Sequence, residues 1–260
     1  MASEFTHAIR QIELELALPL LPKGGKLLEL GAGDGWQARQ LHNRGFDVCA
    51  VDIQTPFRGT AQYFPVTLYD GVKLPFADQS FDAVYSSNVL EHVVEFDELQ
   101  QELARVLRPD GIAVHCVPSA VWRFWTTIGH PLYALKAALR MLIIRRKVGD
   151  TPLPLRKRQM ALKQMSPLAL LRVALISPRH GEHGSLASEH WLFCRRGWER
   201  RIRASGWYIA SDVPCRIFYT GNELMGLRLE LEIRRRMAAI LGSSTRILVL
   251  KPPHSMDINQ

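Results

Sequence analysis

The chain has little from which to build a covalent or metal framework. Its four cysteines, Cys49, Cys116, Cys194 and Cys215, are scattered over 260 residues with no C-x-x-C pair. Cys49 and Cys116 fall inside apolar runs, so reduced, buried thiols are expected rather than disulfides or a zinc ribbon. No apolar run approaches the roughly 20 residues that cross a bilayer, and Glu4, Glu13 and Glu15 interrupt the N-terminal segment. Neither a signal peptide nor a transmembrane helix is expected; the expected location is the cytoplasm, with peripheral contact at a membrane as an alternative. A helical H-E-x-x-H is also missing, and no internal repeat or long low-complexity stretch interrupts the chain.

Against these absences stand 47% apolar residues, enough for a sizeable core, and a net charge of +8 gathered late in the chain. Arg140, Arg145, Arg146, Lys147, Arg156, Lys157, Arg158 and Lys163 form one basic stretch. Arg195, Arg196, Arg200, Arg201 and Arg203 form another. Such a balance admits nucleic acid, acidic lipid head groups or a phosphorylated substrate, and equally a well-solvated face.

The organising stretch is Leu27-Leu28-Glu29-Leu30-Gly31-Ala32-Gly33-Asp34-Gly35. Three leucines supply a buried strand, and Gly31, Gly33 and Gly35 leave no Cβ where the backbone turns and a ligand approaches. A helix from about Trp36 to Asn43 then aims its first amides at that turn. The dinucleotide pattern G-x-G-x-x-G needs a third glycine where this chain has Trp36. The Glu-x-Gly-x-Gly-x-Gly spacing instead resembles motif I of class I S-adenosylmethionine-dependent methyltransferases. Phe46 to Asp52 reads as a second strand, whose terminal Asp52 lies about twenty residues past the glycines, where a carboxylate can accept from ribose hydroxyls. A third strand is expected around Gln62 to Val66.

Asp70-Gly71-Val72-Lys73-Leu74-Pro75-Phe76, followed by Ser80-Phe81-Asp82-Ala83-Val84, resembles the methyltransferase type 11 family. So does Arg105-Val106-Leu107-Arg108-Pro109-Asp110-Gly111, which reads as a helix end and turn between a helix from Glu95 to Leu107 and a fifth strand from Ile112 to Val117. The resemblance covers residues 24 to 120. It implies S-adenosyl-L-methionine as cofactor, with Glu29, Gly31, Gly33, Gly35, Asp52 and Ile53 around the amino acid and ribose. Asp70 and Gly71 would flank the adenine, and Asn88, after a fourth strand from Phe81 to Tyr85, would hold the amino-acid part. Without the family, Asp70-Gly71 is simply a good turn dipeptide.

The expected fold is a three-layer Rossmann-like seven-stranded α/β sheet, its last strand antiparallel, with helices on both faces and a helical insertion after strand five. Residues 1–22 form an N-terminal helix, lid or packing, stopped by Pro19 and Pro22. Residues 23–120 form the cofactor core, 121–190 the substrate or lid insertion, and 191–260, opening with a helix over 191–205, complete the sheet. The insertion joins Trp122, Phe124, Trp125 and Tyr133 to a helix-like run from Leu132 to Ile144, so residues 132–158 suit either an anionic membrane surface or a lid. His180-Gly181-Glu182-His183 is the densest protonatable group. As a glycine-rich loop it suits acceptor recognition, with His180, His183 or Glu182 placed to take a hydroxyl proton; His92, after the fourth strand, either orients the acceptor or caps and packs. No metal is expected. The sequence reads as a methyltransferase acting on an oxygen of a small-molecule or lipid- or sugar-linked acceptor. An RNA methyltransferase or a non-catalytic cofactor-binding scaffold are the alternatives, and Ser87-Asn88-Val89-Leu90 where base N-methylating enzymes carry Asn/Asp-Pro-Pro-Tyr counts against bases.

Overall fold

In a computed structural model, residues 4–53, 62–147, 166, 172, 174–222 and 226–253 are described. Seven strands make one sheet in the order β3-β2-β1-β4-β5-β7-β6. They are β1 (Gly25–Leu30), β2 (Phe46–Asp52), β3 (Thr67–Leu68), β4 (Phe81–Ser87), β5 (Leu107–Pro118), β6 (Tyr208–Pro214) and β7 (Thr245–Lys251). Strands β1 to β5 pair in parallel, and β7 runs antiparallel to both β5 and β6. The helices are α1 (Glu4–Ala17), α2 (Trp36–His42), α3 (Phe96–Val106), α4 (Ala120–Lys147), α5 (Leu186–Leu192), α6 (Arg195–Ala204) and α7 (Leu231–Leu241). This is the seven-stranded Rossmann-like arrangement, with its order reversing between β1 and β4. In such sheets the ligand crevice lies beyond the carboxyl ends of the strands at that reversal.

The central strands are apolar on both faces because helices cover both. Leu27, Leu28, Val84, Tyr85, Val114 and Leu250 are completely inaccessible. All four cysteines are free thiols.

Four local expectations are corrected. The third strand is Thr67–Leu68, not 62–66, because Val51 and Asp52 at the end of β2 pair with those two residues. Arg108 to Gly111 do not form a free turn. They belong to β5 as an irregularity in which Phe81 pairs with Leu107 and Ala83 already with Ile112. There Asp82 accepts from Arg108 and, at 2.7 Å, from the Lys26 amide, so one carboxylate ties three strands. The helix-like run 132–144 is part of the longer α4, with Pro131 inside it. The expected single helix over 191–205 is two, α5 and α6. Cys194 caps α6, its sulfur 3.3 Å from the Gly197 amide, and a Cβ on Gly197 would lie 2.1 Å from the Trp191 carbonyl oxygen. The tight α5–α6 corner requires that glycine.

Helix α1 is anchored by a buried carboxylate rather than by apolar contact alone. Glu13, wholly inaccessible, accepts from Tyr219 Oη at 2.8 Å, from Thr245 Oγ1 at 2.7 Å and from Arg10 at 2.5 Å. Leu14 is the buried position and Leu16 faces outward, so the buried stripe runs through Phe5, Ile9, Leu14 and Ala17.

Candidate active site

The glycine turn lies at the carboxyl end of β1, where Gly31, Gly33 and Gly35 all have positive φ, at 72°, 57° and 78°. Each glycine has its own reason. A Cβ on Gly31 would meet Val89 Cγ2 at 2.4 Å, and one on Gly35 would meet the Phe64 backbone at 2.8 Å. A Cβ on Gly33 would meet nothing within 4 Å, so its open side is space that a ligand can fill. The amides of Gly31 and Ala32 both donate to the Val51 carbonyl, drawing the turn onto β2.

Asp52 ends β2 and accepts from the Gly33 amide at 2.7 Å, so the carboxylate assigned to the ribose also sets the turn. Glu29 lies beneath, almost wholly buried, and accepts from the Ala38 amide in the first turn of α2. Burial chiefly, with Asp34 and Asp52 nearby, pushes its pKa well above the carboxylate range. Ile53 is exposed, and its Cγ2 lies 3.3 Å from where a Cβ on Gly71 would sit. Asp70 accepts from the amides of Val72 and Lys73 at 2.9 and 2.8 Å through one oxygen, an Asx turn that holds its pKa low. Asn88, at the end of β4, has φ 55°, and its amide donates to the Cys116 carbonyl.

Helix α1 reaches over the turn: His7 stacks on Trp36 with ring centroids 5.1 Å apart, and its Nε2 lies 3.6 Å from Asp34. The same helix walls a cavity of about 350 Å³ through Phe5 and Arg10, opposite Asn88, His92, Trp122 and His180. This cavity joins three segments that are remote in sequence.

How His180 arrives there is a matter of two contacts. The Glu189 carboxylate on α5 accepts from the amides of His180 and Gly181 at 2.8 and 2.7 Å. Its other oxygen pairs at 2.8 Å with Arg123 of α4, both side chains being almost fully buried. Gly181 lies against the Glu91 carbonyl, where a Cβ would sit 2.7 Å away, and the Glu182 amide donates to that same carbonyl at 3.0 Å. The loop is thereby clamped so that the His180 ring stands 4.8 Å from that of His92 and 4.5 Å from that of Trp122.

Of the four protonatable side chains expected to act on the acceptor, the structure brings His92 and His180 to the cavity. His183 turns away, its Nε2 2.8 Å from the Val93 carbonyl, and Glu182 is exposed beside Arg179 at 3.6 Å. Neither lines the cavity. Burial, the larger influence, lowers the His92 pKa in spite of Glu91, so this imidazole is neutral at pH 7.

Sequence reasoning missed Glu91, Arg123 and the role of Glu189. Glu91 is 1% exposed, sits in the short 3-10 turn Leu90–His92, and faces both histidines, its Oε1 3.7 Å from His180 Nε2 and 3.9 Å from His92 Nε2. A carboxylate between Leu90 and His92 was visible, but nothing local marks it as buried.

A methyltransferase-domain family model matches residues 28–115. A demethylmenaquinone methyltransferase of Corynebacterium urealyticum is 38% identical over 93 residues, 35% of this chain and 40% of that protein. Another from a Mycobacterium species (strain JLS) is 36% identical over 132 residues, covering 50% and 56%. The chain thus spans about half or less of the length of these curated relatives. Among solved structures, the complex of a Haloferax volcanii methyltransferase with the Trm112 activator provides a chain with TM-score 0.54 and 15% identity, covering 97% of this chain and 94% of that one. Geranyl diphosphate C-methyltransferase of Streptomyces coelicolor gives TM-score 0.51 at 13% identity, over 95% and 80%. These structural likenesses speak to the fold, and the sequence likeness to the segment holding the glycine turn and Asp52. Residues 28–115 thus match the methyltransferase domain of the type 11 family, and the sheet order is that of the class I S-adenosylmethionine-dependent methyltransferase fold.

Proposed function

We propose that the protein transfers a methyl group from S-adenosylmethionine to an oxygen of a small or lipid- or sugar-linked acceptor held in the cavity between α1, α4 and the His180 loop. The observation that carries this reading is the meeting of His92, His180 and buried Glu91 beside Asn88, at the carboxyl end of β4. When bound, the cofactor supplies an electrophilic methyl group on a sulfonium. Open space at Gly33, the amide–carboxylate pair of Gly33 and Asp52, and the adjoining Ile53 and Gly71 suit its nucleoside, with Asp70 beside the base. Asn88 and the amides of the turn suit its amino-acid part.

The chain's own work is then positioning. Alignment of nucleophile, methyl carbon and sulfur supplies most of the rate in such a transfer. The acceptor hydroxyl loses its proton at the Glu91–His92–His180 cluster; Glu182 and His183 hold the loop that carries His180 in place.

A second reading follows from the names of the similar proteins, which act on demethylmenaquinone or methylate a carbon of geranyl diphosphate. Carbon is the alternative acceptor atom here, on a substrate with an apolar chain. A neighbouring cavity of about 210 Å³ supports the chain: Trp125, Ile128, Leu132 and Met237 line it, and it shares Phe5 and Tyr219 with the polar cavity. Helix α4 adds an exposed apolar stripe, Phe124, Ile128, Leu132, Leu135 and Leu139, each 47% to 60% accessible. No described helix is long and apolar enough to cross a membrane. The stripe supports peripheral contact, although the basic residues 156–158 expected to share in it lie outside the described residues.

The test is incubation with methyl-labelled cofactor and fractionated cell extract, with the product's methyl assigned to oxygen or carbon by NMR. Label entering RNA, or no fraction at all, would remove the reading. Calorimetry with the cofactor alone tests its first half: Asp52→Ala is expected to lose at least about tenfold in affinity, and unchanged binding would refute the site.

A further inference from the structure

We propose that Glu91, His92 and His180 form a divalent-cation site opening into the acceptor cavity. The three side chains offer one carboxylate oxygen and two imidazole nitrogens, all within 4.8 Å of one another. Two histidines and a carboxylate are a donor set suited to Zn²⁺, Mn²⁺, Fe²⁺ or Co²⁺. The ligand spacing differs from any linear zinc motif, because the pair Glu91-His92 comes from the end of β4 and His180 from the loop before α5.

The independent observation is the state of Glu91. At 1% exposure, neither of its carboxylate oxygens has a hydrogen-bond partner among the described residues. A buried carboxylate left so is costly, and such groups are ordinarily paired or bound to metal. Its nearest polar neighbours, the Nε2 atoms of His180 and His92, stand off at 3.7 and 3.9 Å. That is too long for hydrogen bonds. Donors that share one ion through bonds of about 2.0–2.2 Å lie about 3–4 Å apart, so the gap has the size of an ion.

Charge points the same way. The arginines lining the cavity already have carboxylates: Arg10 with Glu13, Arg123 with Glu189 and Arg179 with Glu182. Glu91 is the group left over. The site is also rigid, since the Glu189 clamp fixes the His180 backbone and the Glu182 amide fixes the Glu91 carbonyl.

This deepens the proposed function and rests on it for its use. With three protein ligands, the ion keeps positions that face the cavity, where an acceptor hydroxyl can bind and lose its proton to bulk water. The resulting oxyanion forms the new bond to the methyl carbon as the carbon–sulfur bond breaks, its electron pair staying on sulfur.

The full chain, stripped with chelator and dialysed, is titrated with Zn²⁺, Mn²⁺ and Co²⁺ separately by calorimetry, and with Co²⁺ by visible absorption. One ion per chain is expected for at least one metal. His180→Ala and Glu91→Gln should each weaken binding at least about 100-fold, beyond the 10–100-fold cost of losing an outer partner. His190→Ala, whose ring contacts the Leu186 carbonyl on α5, should bind as wild type does. Melting in chelator controls for folding. There Glu91→Gln should equal or exceed wild type, because an unpaired buried charge is removed, and only wild type and His190→Ala should melt higher when the metal is added. No saturable binding, or binding unaltered in both His180→Ala and Glu91→Gln, overturns the site. Cofactor binding by the ion-free protein is measured in parallel. If it fails, the methyltransfer reading falls while the ion titration stands; if it holds and the ion does not bind, only the cation site falls.

Discussion

Glu189→Gln tests the clamp behind the cavity. The substitution keeps an oxygen to accept from the His180 and Gly181 amides, which it now does at 2.8 and 2.7 Å, but it turns an NH₂ toward Arg123 Nε, 2.8 Å from the present carboxylate. Arg123 is then a cation at 1% exposure whose remaining hydrogen bonds among the described residues are to the Pro178 carbonyl at 2.9 Å and, weakly, to Ser177 Oγ at 3.4 Å. Breaking one side of a buried pair costs about 3–5 kcal/mol. At about 2–4 °C per kcal/mol for a domain of this size, the melting temperature should fall by roughly 10 °C. Burial already outweighs Glu189 in lowering the Arg123 pKa, so the pair contributes less than its breakage costs. Accordingly Arg123→Met/Glu189→Gln should be more stable than Glu189→Gln, with a coupling of about 2–3 kcal/mol in a double-mutant cycle read by urea unfolding. Glu189→Gln within 1 kcal/mol of wild type, or strict additivity, would refute the account of how His180 is held.

Three further outcomes are expected. Gly33→Ala, with open space at its Cβ, should cost only about 1 kcal/mol for its left-handed backbone, yet weaken cofactor binding in calorimetry; Gly35→Ala, forced against the Phe64 backbone, should cost roughly 2–4 kcal/mol. Equal stability of the two would contradict the turn geometry. His115 is wholly buried, bonded at 2.7 Å to Ser86 Oγ, and its pKa is pushed by burial to about 3. The unfolded chain takes up this proton below about pH 6.5 and the folded chain does not, so stability falls as pH drops from there toward 3. The loss is roughly 2 kcal/mol by pH 5 relative to pH 7. His115→Gln should flatten that slope in unfolding titrations, and an unchanged slope would remove the assignment. For α4, replacing Ile128, Leu132 and Leu135 with Ser should abolish co-sedimentation with anionic phospholipid vesicles if the stripe docks there; binding by the triple variant would place the contact elsewhere.

The glycine turn, Phe46–Asp52 and the amphipathic α3 were legible because each is written locally. Positive φ demands glycine, a buried parallel strand reads as a continuous apolar run, and one stripe of α3 faces the sheet. The two-residue β3 was not, since its register is set by where β2 ends rather than by its own residues. Arg108 to Gly111 carry good turn chemistry, and strand pairing on β4 overrides it. Helix α4 hid its length because Phe124, Ile128, Leu132, Leu135 and Leu139 point outward, against the pattern that marks a buried helix face. In the candidate site, Glu91 was illegible for a different reason. Its burial depends on Gly181 closing over its carbonyl, and so on a clamp between Arg123 and Glu189 that no linear spacing reveals.

The net charge of +8 suggested an anionic partner, and the arrangement of the charges changes where such a partner could act. Within the cavity each lining arginine faces its own carboxylate, which leaves Glu91 as the surplus charge and favours a cation or a neutral acceptor over a phosphate. Three of the five arginines of α6 are also engaged. Arg195 pairs with Asp212 at 3.0 Å and Arg203 with Glu199 at 2.9 Å, while Arg201 lies 3.9 Å over the Phe96 ring, its pKa lowered by burial to about 10. A cation engaged in this way releases few counterions when a polyanion arrives, so an RNA-binding face built on α6 would show a shallow salt dependence rather than the steep one of free phosphate contacts. Under the proposed function, selection of the methyl acceptor therefore falls to the polar cluster of Glu91, His92 and His180 rather than to the basic residues of α6.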